Sequence, residues 1–237
     1  MWGRGLPTHL ILEGPPVVEV ALRQSARAKR LSLRVSGLDG RVSLTVPKGV
    51  RQREAETFLA EKEAWLRSAL ARNPDTVSIK VDEEVLFQGA LHRITPAPVR
   101  AVRIDAGSLL VPQGAPDRAA TRVQAFLKLQ ARQRLQAATD HYCGKLGARH
   151  GRITLRDTRS RWGSCSAAGN LNYSWRLIMA PPDVLTYVAA HEVAHLVEMN
   201  HSQAFWSVVT RLYGPYKAQR GWLRTHGAQL HRYRFDD

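Results

Sequence analysis

Cysteine is scarce in this chain: 237 residues contain only Cys143 and Cys165, far apart and without the spacing of a thiolate metal site. That excludes a disulfide scaffold and reads as two reduced thiols of a cytoplasmic protein, with Cys165 a buried small hydrophobe. No hydrophobic run approaches the roughly 20 residues of a membrane span, and the patch His9-Leu10-Ile11-Leu12 is too short for a secretory signal. No phosphate-binding glycine loop, low-complexity tract or internal repeat is evident. Acidic residues are thin, with 20 Asp+Glu against 35 Lys+Arg, a formal net charge of +15, and none at all between Ser202 and Phe235. At 44% hydrophobic content the chain is long enough to bury a core in one large or two small domains.

Against this background stands His191-Glu192-Val193-Ala194-His195, followed by His201. Positions i and i+4 are neighbours on a helix surface, so His191 and His195 present two imidazoles to one metal, Zn2+ by this pattern. Glu192, beside the first histidine, is the carboxylate for proton transfer. The helix opens at Pro181-Pro182-Asp183 and runs through Val184, Leu185, Tyr187, Val188, Ala189 and Ala190, too apolar for a solvent face. Burying imidazoles and a carboxylate in such surroundings is costly unless a divalent metal joins them.

The absence of acid downstream narrows the third ligand. A distant glutamate is excluded unless the terminal Asp236 or Asp237 folds back. A histidine ten residues after the first fits His201, although Glu198 stands where the usual glycine turns the chain, and the methionines Met1, Met179 and Met199 supply no methionine turn. Asn200 tolerates the left-handed conformation, so the helix is expected to stop at Met199-Asn200 and return His201 to the metal. His226 and His231 are the runners-up, with Glu198 behind them.

Upstream, Arg159-Ser160-Arg161-Trp162-Gly163-Ser164-Cys165-Ser166 and Leu171-Asn172-Tyr173-Ser174-Trp175-Arg176-Leu177 flank a Gly169-Asn170 turn and read as a β-hairpin. An edge strand beside the metal suits an extended peptide, with Trp162 lining a pocket. Trp162 and Trp175 read equally well as core aromatics. Tyr216 and Arg161 are candidates, on chemistry alone, for facing an oxyanion.

The run Arg161 to Ser166, then Trp175-Arg176-Leu177, Pro181, Tyr187-Val188, the His-Glu-x-x-His helix, and Asn200-His201-Ser202 to Phe205-Trp206 resembles the YgjP-like metallopeptidase family, related to the SprT-like zincins. Arg27 to Val35 and Leu44-Thr45-Val46-Pro47 extend the resemblance over nearly the whole chain. It implies a peptidase fold, zinc ligands His191, His195 and His201, and Glu192 as catalytic base. Ser174 departs from the pattern, which leads one to expect Asn before Trp-Arg-Leu.

The expected fold class is α+β: a zincin-like metallopeptidase half, with active-site helix and β-hairpin edge strand, preceded by a β-rich amino-terminal half. Alternating apolar residues give strands at 17–20, 31–35 and 42–46. Arg51 to Ala71 follows a helical stripe of Ala55, Phe58, Leu59, Trp65, Leu66 and Leu70. Further strands are expected around 77–79, 85–87, 99–104 and 109–111. A boundary at Gly114 to Pro116 separates a β-rich region, 1–115, from a zincin-like domain, 116–237. The second region carries a long helix from Asp117 to Leu146 and another from Ser202 to Tyr213, stopped by Gly214-Pro215.

Basic residues crowd at Arg23, Arg27, Lys29, Arg30 and Arg34, and at Arg118, Arg122, Lys128, Arg132 and Arg134. Such clusters attract nucleic acid weakly and without base preference, or are simply solvated. The composition and motifs together point to a cytoplasmic zinc endopeptidase acting on protein or peptide, with no membrane partner. The rival is a basic nucleic-acid-associated protein with a structural or vestigial metal site, and between them lies a SprT-like protease recruited to DNA.

Overall fold

The computed structural model describes residues 6–36, 40–71, 76–114 and 116–235, so Asp236 and Asp237 and part of the expected boundary at Gly114 to Pro116 lie outside the described residues. The chain divides into two compact units, Met1–Asp75 and Thr76–Asp237. The architecture is α+β, with strands concentrated in the first half and helices in the second, as expected.

In the first unit, β1 (His9–Leu12), β2 (Val18–Ser25), β3 (Ser32–Val35) and β4 (Val42–Pro47) form one sheet in the order β1-β2-β4-β3. Strand β4 alternates Val42, Leu44 and Val46 inward with Ser43 and Thr45 outward, the period of a sheet buried on one face. The inward face packs with Ala55 and Leu59 of α1 (Gln52–Glu61) and Leu66 of α2 (Glu63–Ala71). The single helix expected over Arg51 to Ala71 is therefore two, broken at Lys62. Leu59 and Leu66, seven residues apart, keep one face, whereas Trp65 falls about 100° off Leu66 and is 48% exposed rather than part of the stripe.

The second unit opens with β5 (Val77–Ser78), β6 (Glu84–Phe87), β7 (Ala90–Ala97), β8 (Arg103–Asp105) and β9 (Ser108–Pro112), the last four in the order β6-β7-β9-β8. Strand β7 is absent from the sequence expectations because only Ile94 in it is buried, so it carries no alternation. Helix α3 (Ala119–Leu146) buries Val123, Leu127, Ala131, Leu135 and Tyr142 along one stripe and ends on Gly147 at φ 72°. After β10 (Ile153–Arg156), the expected hairpin is present as β11 (Gly163–Cys165) antiparallel to β12 (Leu171–Ser174). A 3-10 turn, Trp175–Met179, leads to α4 (Pro182–Ala194), then α5 (Gln203–Tyr213), α6 (Lys217–His226), and β13 (Tyr233–Arg234), which pairs parallel with β5.

The two four-stranded sheets repeat one another, which corrects the expectation of no internal repeat. Each pairs its first two strands antiparallel, the second and fourth parallel, and the third and fourth antiparallel. Leu44 sits between Leu22 and Leu33 as Leu109 sits between Ile94 and Ile104. The sequence trace is only Leu44-Thr45-Val46-Pro47-Lys48-Gly49 against Leu109-Leu110-Val111-Pro112-Gln113-Gly114. Pairing geometry constrains inward size and polarity, not identity, so the repeat is far clearer in register than in letters.

The expected boundary at 115/116 falls inside the second unit, and the β6–β7 turn gives the reason. Gln88 and Gly89, at φ 53° and 82°, donate their N–H groups to the carbonyls of Ile178 and Met179, at 2.8 and 3.0 Å. A Cβ on Gly89 would lie 3.2 Å from the Pro181 backbone. The second sheet thus braces the segment that launches α4.

Candidate active site

Helix α4 starts with Pro182 at its first turn, where a missing N–H costs nothing, and buries Val184, Leu185, Tyr187, Val188, Ala189, Ala190, Val193 and Ala194. It is an interior helix carrying His191 and Glu192, with His195 at its C-terminal cap. It ends at Ala194, one turn before the expected stop, and a bend at 195–197 continues it through the Glu198 N–H bond to the Ala194 carbonyl. Asn200 is not in the left-handed region. The reversal instead ends on Ser202, whose hydroxyl accepts from the Phe205 N–H and caps α5. That cap brings Phe205 against the rings of His191, His195 and His201, at 4.8, 4.4 and 4.7 Å between centroids.

The three histidines converge, each offering a ring nitrogen within 4.8 Å of the others. Nε2 of His191 and Nε2 of His201 are 3.0 Å apart. The Nδ1 of His195 bonds the Glu198 carbonyl at 2.9 Å, leaving its Nε2 as a lone pair for a metal. Burial, with smaller contributions from the other two rings and Arg220, pushes His191 from its ordinary 6.5 down to about 3, and burial lowers His195 as well. Three imidazoles whose ring nitrogens converge, with no carboxylate in the group, fit a divalent metal. His226 instead stacks on Trp222 at 5.3 Å, and His231 lies under Trp162 at 5.3 Å.

Glu192 is 4% exposed, and its Oε2 has no hydrogen-bond partner. Burial pushes its carboxyl from 4.5 up to about 8, while Arg161 pulls the other way. A cation held by the imidazoles opposes that rise. The carboxyl lies against β11: a Cβ on Gly163 would come within 2.6 Å of the Glu192 Cγ and Cδ. Only glycine allows this approach. Gly163→Ala is therefore expected to swing the carboxyl aside and lower kcat/KM about a hundredfold or more with metal content unchanged, by analogy with the loss of a positioned base. Turnover within twofold of the parent would refute that role.

His191, Glu192, His195 and His201 share a cleft of about 570 Å³ with Arg161, Trp162, the whole of β11, Tyr187, Met199 and three residues of α6, Arg220, Leu223 and Arg224. Strand β11 is an edge strand, paired on one side only, in the order β10-β12-β11. Of the sequence candidates, Arg161 and Trp162 line the cleft. Tyr216 does not: its ring is stacked between Tyr187 at 5.9 Å and Trp206 at 4.9 Å. Trp175 is core, 2% exposed. Cys165 lines the cleft and is only partly buried. Burial first, then the Glu192 charge, raises its thiol, which disfavours a nucleophilic thiolate. Ser174 is fully buried and away from the cleft, with its Oγ unpartnered.

The Arg176–Asp157 ion pair, buried on the arginine side and open to solvent at the carboxylate, is one that the sequence does not announce. Arg176 donates through Nε and Nη2 to both oxygens of Asp157, at 2.7 and 3.1 Å, and through Nη1 to the carbonyls of Leu230 and Tyr233. It holds the 227–234 segment in place, and a Cβ on Gly227 would lie 2.8 Å from the Trp162 ring. Asp157→Ala would leave the Arg176 charge without its carboxylate, at a cost on the order of 2–3 kcal/mol after allowing for the partial exposure of Asp157. Denaturant unfolding tests this, and a midpoint shift near zero would contradict it. Asp157 is held below its ordinary value by Arg176, against the opposing pull of burial. The stabilisation is therefore complete above about pH 4 and is lost as acid protonates it.

The second basic cluster is largely absorbed by the fold. Arg122 donates to the Pro112 carbonyl and Arg132 to that of Ile153, Lys128 donates to Gln124 and lies over Trp175, and Arg134 faces the Gln88 side-chain oxygen at 2.6 Å once that amide is turned. The first cluster remains exposed on the first unit. Among the described residues no helix is long and apolar enough to cross a membrane.

A converging histidine triad and a buried glutamate in an open cleft define a metallopeptidase-type centre. The family model described as "YgjP-like, metallopeptidase domain" matches residues 29–226, and the chain belongs to that family. The crystal structure of the metallopeptidase zymogen of Pyrococcus abyssi abylysin is similar over 39% of this chain and 92% of that one, at 20% identity and a TM-score of 0.35. A likeness of that extent does not by itself establish a common fold. No curated protein matches.

Proposed function

We propose that this metallopeptidase is a zinc-dependent endopeptidase, with His191, His195 and His201 as ligands and Glu192 as general base. The observation that carries the reading is the buried Glu192 carboxyl, its Oε2 without a hydrogen-bond partner, beside three converging imidazoles, all opening into one cleft. Three nitrogen donors and no carboxylate suit zinc, with a coordination position left open for chemistry. The metal supplies Lewis acidity toward a water and toward a peptide carbonyl. Glu192 takes a proton from the attacking water and returns it to the departing amine, so one group serves as base and then acid. An extended peptide pairs with the free edge of β11, and Trp162 forms a wall for one of its side chains. Arg161, in the cleft and near enough to lower the Glu192 carboxyl, favours negative charge developing at the carbonyl oxygen.

The test is cleavage of unfolded casein by zinc-loaded protein, abolished by a chelator and restored by added zinc. Failure to cut under any of these conditions would turn the reading toward a structural metal site. Exposed charge on the first unit alone does not carry a nucleic-acid reading.

A further inference from the structure

The charge of the cleft is one-sided. Arg161, Arg220 and Arg224 line it, and among the described residues its only carboxylate is the buried Glu192. Among the described residues none of the three arginines makes an ion pair. Arg220 is held in place: its guanidinium lies over the Trp206 ring at 4.7 Å, and Trp206 heads a stack with Tyr216 at 4.9 Å and then Tyr187 at 5.9 Å. A cation fixed on an aromatic face keeps its N–H groups directed at a ligand with little ordering cost. Arg224 follows one turn later on α6, on the same face as Arg220. Arg220 lines the same cleft as His191, His195 and His201.

We propose that the cleft selects peptides bearing a carboxylate close to the bond to be cut, received by Arg220 and Arg224. This rests on the peptidase reading and deepens it by naming a substrate class. The surface as a whole is basic, but a general positive field attracts acidic chains everywhere and selects no position along them. A one-signed cleft with apolar walls, here Trp162, Leu223 and Met199, focuses that field at a fixed distance from the site. A lysine or arginine side chain entering the same space meets three guanidinium groups and, among the described residues, no carboxylate but the buried Glu192. The carboxylate has two sources, an Asp or Glu side chain or the carboxyl terminus of the peptide.

The experiment measures binding of fluorescein-labelled octapeptides to zinc-loaded Glu192→Gln protein by fluorescence anisotropy. One peptide carries two central glutamates and an amidated terminus, a second replaces them with glutamine, and a third is the glutamine peptide with a free terminal carboxylate. The glutamate peptide is expected to bind about tenfold tighter than the amidated glutamine peptide, a gap that narrows with salt. Adding Arg220→Gln and Arg224→Gln should close the gap to within twofold, and Arg220→Lys with Arg224→Lys should preserve most of it. Arg27→Gln with Arg30→Gln, on the first unit, should leave it intact. Tight binding of the free-acid peptide alone would assign the two arginines to a chain terminus. Equal binding of all three, or a gap that survives removal of both arginines, would overturn the proposal. Cutting by the parent without acidic preference would sink this inference and leave the peptidase reading standing. Selective binding without any cutting by the parent would support the carboxylate site and sink the peptidase.

Discussion

Glu192→Gln protein should retain its metal and its fold and lose at least a thousandfold in peptide hydrolysis. The substitution keeps the size of a side chain packed against Gly163, so the strand and helix stay in contact. It removes the one carboxylate that the described residues place inside the cleft. General bases contribute roughly a hundred- to ten-thousandfold, and here the same carboxyl serves in both proton transfers, which places the loss toward the upper end. Initial rates on a quenched peptide, with zinc measured in the same samples, decide it. Undiminished turnover would exclude Glu192 as the base.

His201→Ala should lose zinc affinity by several orders of magnitude, whereas His226→Ala and His231→Ala should keep it. Among the described residues His201 is the only one outside the α4 segment that brings a ligand nitrogen to the group. Its removal leaves two donors, too few to hold zinc against a competing chelator. Phe205 and Trp206 would still cover the vacated side, so the effect falls on the metal before the fold. Competition with a chromogenic chelator reads it. Equal retention in His201→Ala and the parent would overturn the ligand assignment.

Much of this site is legible in the sequence because its spacing is dictated by local geometry. His191 and His195 lie on one helix face through the four-residue step, and Ser202 supplies the turn that returns His201, although by capping α5 rather than by a left-handed Asn200. The hairpin is legible because Gly169, at φ 71°, sits in its turn. Arg220 and Arg224 are not, since nothing local records that α6 returns to the cleft. They read as the polar face of a surface helix. Strand β7 escapes because Ile94 alone in it is buried, which leaves no alternation to read, and Tyr216 misleads because the stack that captures it is assembled from three separate helices or their caps. Division of the chain at 75/76 depends on the Gln88–Gly89 turn reaching the start of α4, a contact about 90 residues long in sequence that composition does not register.

The most direct test of the central claim is diffraction from zinc-loaded crystals at wavelengths on either side of the zinc absorption edge. A single anomalous peak enclosed by His191, His195 and His201, with no fourth protein ligand and Glu192 beside it uncoordinated, is the predicted result. A peak at His226 or His231, or a fourth side chain closing the site, would contradict it.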